Sequence, residues 1–311
     1  MEQADASQMS AQSWVWLVTG CSSGLGRHLV GAILARGDRV IATARRHQDL
    51  DYLSDLEGSK ERVHRVTLDV TEPYDQVRTK LEKAADHFGS IDVLVNNAGF
   101  VLSGVWEETS DEELHRQFET NFFGAIRVTR CVLPYMRSAR SGVILFMGSI
   151  SGWYGVGAGG PYSASKFAIE GAAECLSKET SHLGIRTHVL VLGQFRTDIL
   201  KQDRKSGILH PTEICDYHGI KNEMDKRHTQ TNGKQPGDPR IAAERIVDLA
   251  RLEDFSEEKK SSLPLRIPLG SDALEIIRLK CHQTLESLGP WEHFAQSTDF
   301  TYSVNISSYL R

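Results

Sequence analysis

The stretch "WVWLVTGCSSGLGRHLV", residues 14–30, sets the reading of the whole chain. Its opening run of apolar and β-branched residues is short and reads as a strand. The run breaks into a turn holding Gly20, Gly24 and Gly26, and a helix-length segment, "LGRHLVGAILARG", follows. Glycines placed there let the backbone turn tightly from strand to helix. The helix's N-terminal amides and positive dipole end can then meet a pyrophosphate. The same letters also fit a tight structural turn with no ligand, so the rest of the chain must arbitrate.

It does so by repetition. "RVIATA" (39–44), "VHRVTL" (63–68), "IDVLVN" (91–96), "GVILFM" (142–147) and "IRTHVLVL" (185–192) read as further strands, with "LPLRIPLG" (263–270) as a seventh. Between them lie "YDQVRTKLEKAADHFG", "DEELHRQFETNFFGAIRVTRCVLPYM" and "SASKFAIEGAAECLSKETSHLG", helix-length segments of which several end at Gly. This alternation predicts an α/β fold, a single doubly wound parallel sheet with helices on both faces and right-handed crossovers. The regularity stops near residue 195. Residues 196–238, rich in Pro, Gly, His and charge, are expected to form a mobile substrate-side insertion with short helices. The expected organisation is a flexible N-terminus over 1–12, one domain over 13–289 and a polar, aromatic-bearing C-terminal tail over 290–311.

Composition narrows the partners. Hydrophobic content of 40% and charged content of 25% are those of an ordinary soluble domain. A net charge of −5 offers no attraction to nucleic acid or an anionic membrane. The 5 cysteines are widely spaced with no CxxC pair, which reads as reduced thiols and no metal site. No apolar run approaches the length that spans a bilayer, and "MEQADASQMSAQS" reads as neither signal nor transit peptide, so a cytoplasmic location is expected.

Ligands of doubly wound sheets bind beyond the carboxyl ends of the strands. After the second strand comes Arg45, where an NAD site would carry an acid; the first acid is Asp49. Arginine suits a ribose 2′-phosphate through charge-assisted hydrogen bonds, and Ser22 could add a donor. After the third, "LDVT" presents Asp69, which fits an adenine amino group or a helix cap equally. "NNAG" (96–99) follows the fourth, Ser149 the fifth, and Gly193 and Thr197 the sixth. Each is ordinary turn chemistry alone; together they line one edge. "YSASK" (162–166) sets Tyr162 four residues before Lys166, but "YHGIK" does the same with Tyr217 and Lys221. Spacing does not separate the two pairs.

With these residues assembled, the chain resembles the classical short-chain dehydrogenase/reductase family, nearest its hydroxysteroid/retinol dehydrogenase-like branch and fungal biosynthetic dehydrogenases. "TGCSSGLG" is similar to that family's cofactor turn, "NNAG" is unchanged from its motif, and "NFFG", Ser149, "YSASK" and "GQFRT" follow in the family's order. The resemblance covers about residues 12–200 strongly. It implies a Rossmann-type domain and a catalytic tetrad of Asn121, Ser149, Tyr162 and Lys166. It implies cofactor contacts from Gly20, Ser22, Ser23, Gly24, Leu25 and Gly26, then Arg45, then Asp69 and Val70, then Asn97, Ala98 and Gly99. Tyr162, Lys166, Gly193, Phe195 and Thr197 complete that set. The implied activity is an NADP(H)-dependent oxidoreductase interconverting a ketone and a secondary alcohol. The implied assembly is a homo-oligomer, dimer or tetramer, built on helices around 112–136 and 162–182. One departure stands out: Leu192 precedes Gly193 where the family usually has Pro, which leaves the local loop shape open. The alternative expectation is a non-catalytic NADP(H)-binding sensor; an extended-family epimerase fits the glycine spacing less well.

The side chains suit the implied roles. A free tyrosine titrates near 10, and a cationic Lys166 one helical turn on is expected to lower Tyr162 toward neutrality, making it the general acid/base. By resemblance, Ser149 would hold the carbonyl oxygen, Lys166 the nicotinamide ribose, and Asn121 a water leading to Lys166. The pocket is expected among Phe100 to Trp106, Trp153, Tyr154, Val156 and the insertion. It would suit an apolar or aromatic ketone of steroid, retinoid or polyketide type. Gly155, Gly157, Gly159 and Gly160 are expected to give the segment before Tyr162 unusual freedom.

Overall fold

The computed structural model describes residues 13–197, 199, 214–253 and 255–300, so the expected N-terminus (1–12), part of the insertion and residues 301–311 lie outside it. β1 (Val15–Val18) passes through the glycine turn to α1 (Gly24–Ala35) and β2 (Arg39–Ala44). The short α2 (Ser59–Arg62) leads to β3 (Val63–Thr67), and α3 (Tyr74–Phe88) leads to β4 (Val93–Asn96). α4 (Asp111–Phe118) continues through a π-helical turn, Glu119–Gly124, into α5 (Ala125–Ala139) and β5 (Gly142–Met147). α6 (Gly160–Thr180) and β6 (Ile185–Leu192) follow, then α7 (His218–Thr231), α8 (Pro239–Arg251), α9 (Glu257–Ser261), β7 (Arg266–Leu269), α10 (Ser271–Leu288) and α11 (Glu292–Gln296).

The seven strands pair in parallel in the order β3-β2-β1-β4-β5-β6-β7. The seventh strand is where the sequence predicts it. Strand order reverses between β1 and β4, and the crevice a ligand can enter opens there, outside the carboxyl ends. β1, β4 and β5 are buried along their whole length, as strands covered on both faces must be. Alternation divides the core. Trp16 and Val18 pack with α1 and α8, whereas Val15 and Leu17 pack with α3, α5 and α6.

A buried ion pair fastens α8 to the amino edge of the sheet. Asp38 accepts hydrogen bonds from the Trp14 amide (2.9 Å), the Trp16 indole (2.9 Å) and Arg251 Nη1 (2.5 Å). All of the acid's neighbours donate, so neither charge lies buried without a partner.

The insertion departs from the expectation of short helices, since α7 spans 14 residues. It is anchored by the second Tyr/Lys pair. Tyr217 Oη donates to Glu107 at 2.7 Å, and Lys221 Nζ donates to the buried carboxylate of Glu108 at 2.9 Å. The C-terminal tail is also partly helical, with α11 following α10 after a 3-10 turn, Gly289–Trp291.

Candidate active site

The glycine turn is built by contact. Gly20 (φ +71°) and Gly24 (φ +54°) adopt the left-handed conformation that β-carbons disfavour. At Gly26 the constraint is space, because a Cβ there would lie 2.4 Å from the Gly20 carbonyl and 2.6 Å from Asn97 Nδ2. Ser22 is half-buried in the turn, and Ser23 stands at the N-cap of α1. Leu25 faces inward and packs in the core, so only its backbone lies along the turn.

The "NNAG" segment locks against that turn. Asn97 Nδ2 donates to the carbonyls of Thr19 (2.8 Å) and Gly20 (3.1 Å), while Thr19 Oγ1 accepts from the amides of Asn97 and Ala98, both at 2.9 Å. The Asn97 side chain is therefore committed to shaping the turn, a role that its cofactor-contact reading did not include. Gly99 faces the Asn121 amide, which a Cβ would approach to 3.1 Å.

Arg45 leaves the end of β2 exposed, with no ion-pair partner among the described residues. Its neighbour Arg46 is held by Asp49 at 2.9 Å. Asp69 is not a helix cap. Its Oδ1 accepts from the Thr71 amide (2.9 Å) and hydroxyl (2.8 Å) in a local turn, and Oδ2 makes no hydrogen bond among the described residues. Val70 is buried against Gly124, and its carbonyl accepts from Arg127 at 2.6 Å.

Asn121 lies in the π-helical turn and is buried. Its Oδ1 accepts from the Phe100 amide (3.1 Å), and Nδ2 donates to the Phe100 carbonyl (3.0 Å). Both ends of the amide thus tie the helix to the loop after β4. Single π turns of this kind are frequent at functional sites.

Ser149, at the end of β5, sets its hydroxyl near enough to the Tyr162 phenol to exert a downward pull on its pKa. Its Oγ also accepts from the Ser151 amide at 3.1 Å. The expected lowering of the Tyr162 pKa is reversed here. Burial pushes the phenol above its ordinary value, and the nearby Ser149 hydroxyl only partly opposes this. Lys166 does not offset the burial because its Nζ donates to the Met147 carbonyl at 2.6 Å and stands 5.6 Å from the Tyr162 ring centroid. Burial lowers Lys166 itself to about 8, opposed by the charge of Glu170 one turn further along α6.

Glu170 was not picked out by the sequence. It is buried, accepts from Arg266 of β7 at 2.8 Å, and lies beside Gly148 and Gly152. Asp272 was missed as well. Its Oδ2 accepts from the Gln194 amide at 2.7 Å, its Oδ1 accepts from the Ala273 amide at 3.0 Å, and it presses on Gly193 so closely that no Cβ would fit there. That carboxylate shapes the loop where the proline is lacking. Phe195 bridges to Gly237, and Thr197 lies across the cleft from Gly24, 3.6 Å from where a Cβ would stand.

Beside this edge lies a cavity of about 290 Å³ lined by Val105, Trp106, Val156, Gly160, Tyr217 and Ile220 among others. The three expected regions therefore do meet: the loop after β4, the segment before Tyr162, and the insertion. Two of the glycines before Tyr162 serve close packing instead of freedom. A Cβ on Gly160 would strike the Trp106 indole at 2.5 Å, and one on Gly157 would strike Ile220 at 2.6 Å.

Residues 14–207 match the family model of the short chain dehydrogenases. The chain belongs to the short-chain dehydrogenase family. This family member is 33% identical over 290 residues to the oxidoreductase calM of Penicillium decumbens, covering 90% of this chain and 91% of that protein. It is similar to the crystal structure of a short-chain dehydrogenase from Streptomyces avermitilis (TM-score 0.80, 35% identity, 93% of this chain and 100% of that one). Two more distant structures share the fold. One from Burkholderia phymatum is in complex with NAD (TM-score 0.72, 21% identity, 94% and 98% coverage). One from Burkholderia cenocepacia is in complex with NADP (TM-score 0.65, 23% identity, 89% and 97% coverage). Among the described residues no helix is long and apolar enough to cross a membrane, and no side-chain cluster could hold a metal ion.

Two glycines of α1 test the packing account. Gly26→Ala should cost about 1–3 kcal/mol, because its Cβ meets backbone that cannot move aside. Gly31→Ala, with nothing within 4 Å of the new Cβ, should gain about 0.5–1 kcal/mol. Urea denaturation of the two variants measures both, and equal effects would contradict the contact at Gly26.

Proposed function

We propose that this family member is an NADP(H)-dependent carbonyl reductase that converts an apolar or aromatic ketone to a secondary alcohol. The observation that carries the reading is the Ser149 hydroxyl set against the Tyr162 phenol, with Lys166 one turn on, beside the glycine turn. The residues fit a dinucleotide. The turn brings bare backbone to the helix N-terminus, Arg45 is an exposed cation at the end of β2, and Asp69 Oδ2 makes no hydrogen bond among the described residues. Gly193, Phe195 and Thr197 would close the far side.

When bound, NADP(H) supplies the hydride. The protein's own part is to hold the carbonyl oxygen and give it a proton. Ser149 and Tyr162 are the two hydroxyls that can point at that oxygen, one to bind it and one to protonate it. A phenol raised above its ordinary value stays protonated at neutral pH, which suits the acid role and the reductive direction. Lys166, charged below about pH 8, would hold the nicotinamide ribose. Asn121 fixes the loop after β4 and so one wall of the pocket.

The cavity's Val105, Trp106, Val156 and Ile220 favour an apolar substrate, and steroid, retinoid and polyketide-like ketones are the classes proposed. The sensor alternative has no observation in its favour.

Tyr162→Phe should lower turnover of carbonyls with NADPH by about 10²–10⁴-fold while leaving NADPH binding intact. Near wild-type turnover across a steroid, retinoid and aromatic ketone panel would sink the assignment. Arg45→Ala should raise the KM for NADPH about 10- to 100-fold, as loss of a charge-assisted hydrogen bond does, with little change for NADH. Equal efficiency of the wild type with both cofactors would refute the NADP(H) choice. If Lys166 must be charged, the rate of reduction falls as pH rises through about 8. Glu170→Gln removes the charge that keeps Lys166 protonated, so this alkaline limb should move to lower pH. A limb that stays in place would show that Glu170 does not act on Lys166.

A further inference from the structure

The apolar stripe of α10 runs past the edge of the body. Ala273 is buried and Ile277 packs against the core. Cys281, Leu285 and Leu288 continue the stripe at spacings of four, four and three, which keep to one helix face. Every residue from 278 to 300 is exposed. Leu279, Leu285, Leu288, Trp291 and Phe294 are each 55–67% exposed, and the Trp291 and Phe294 rings pack edge to face at 5.5 Å. A soluble monomer rarely leaves such a continuous apolar patch bare.

We propose that residues 278–300 form a self-association surface, on which a second copy of the chain lays the same segment antiparallel, about a two-fold axis. Three observations select that occupant. The exposed stripe continues the one that already buries Ile277, so the surface has the apolar spacing of a helix–helix seam. Charge is graded along it: Arg278 and Lys280 come first, then Glu286, Glu292 and Asp299. Antiparallel pairing sets each basic half beside the other copy's acidic half and opposes the two helix dipoles; parallel pairing would align like charges. A stable interface needs roughly 800 Å² per partner. Two aromatics at about 150–250 Å² each when buried, with Leu285 and Leu288, bring an area of that order. A membrane surface is the poorer match, because a helix that lies on lipid carries a Lys- and Arg-rich polar face and acids outnumber bases here.

Sedimentation velocity on the full-length protein over a dilution series tests this independently of the proposed reaction. Leu285→Asp with Leu288→Asp should bring the assembly down one association state or weaken it at least about 100-fold, as loss of a seam's central anchors does. Both residues are exposed, so far-UV circular dichroism and the thermal midpoint should not move. Arg278→Glu with Lys280→Glu should weaken association, and adding Glu286→Lys and Glu292→Lys should restore it. A monomeric wild type, or an association state untouched by the leucine pair, overturns the proposal. Failure of the second charge swap to restore association overturns the antiparallel pairing. Co-sedimentation with phosphatidylcholine/phosphatidylserine vesicles that the leucine pair abolishes, at an unchanged association state, overturns it in favour of lipid.

Discussion

The carboxyl edge of the sheet depends on one side-chain amide. Asn97 sits where strand order reverses, and its two N–H bonds reach back to the carbonyls of Thr19 and Gly20. The ends of β1 and β4, already paired up to Val18 and Val95, are tied further there, and the glycine turn is held in a shape that lets α1 begin close to it. An aspartate would place a negative oxygen against two carbonyls, and an alanine would leave both unsatisfied beside a turn with no slack. Thr19 completes the joint by accepting both amides of the opposite segment. Everything proposed about a dinucleotide rests on this local stiffness, because backbone amides bind phosphate well only when they are already aimed.

Next to that joint, burial and charge work against each other. Burial disfavours both the phenolate of Tyr162 and the ammonium of Lys166, which raises the first and lowers the second. Glu170 counters the loss at Lys166, yet it is a buried acid and itself raised by burial. Arg266 supplies the opposing charge, reaching Glu170 and Glu174 at 2.8 Å each. The edge strand β7 therefore sets the electrostatics of a helix that lies about a hundred residues earlier in the chain. The pairing is also shielded, since Trp153 lies over the Arg266 guanidinium.

What the sequence revealed and what it hid follow the range of the interactions. Seven strands were legible because each is a short run rich in apolar and β-branched residues, a property of consecutive residues. The strand-end motifs were legible because their order along the chain is their order along the edge. Glu170, Asp272, Glu107 and Glu108 were not, since each acts on residues that only the fold brings near. The glycines before Tyr162 misled for another reason. Freedom and close contact both demand glycine, and only the positions of Trp106 and Ile220 tell them apart. The proline missing before Gly193 was a real gap in the pattern, and Asp272 fills it with hydrogen bonds to the next loop amide.

The two Tyr/Lys pairs show how little spacing carries by itself. Tyr162 and Lys166 lie on one helix in a setting with a serine hydroxyl and a backbone carbonyl as partners, so neither charge is neutralised by an acid in contact. Tyr217 and Lys221 have the same separation and meet two consecutive glutamates. The hydrogen bond to Glu107 is the main cause that raises the Tyr217 phenol, and Lys221 is fixed on Glu108. A phenol engaged with a carboxylate holds its proton more tightly, and an ammonium in an ion pair has little field left for a neighbour. The first pair is therefore the one we propose moves a proton, whereas the second holds α7 against Glu107 and Glu108. Position along the sheet, and the absence of a contacting acid, separate an acid/base pair from a latch.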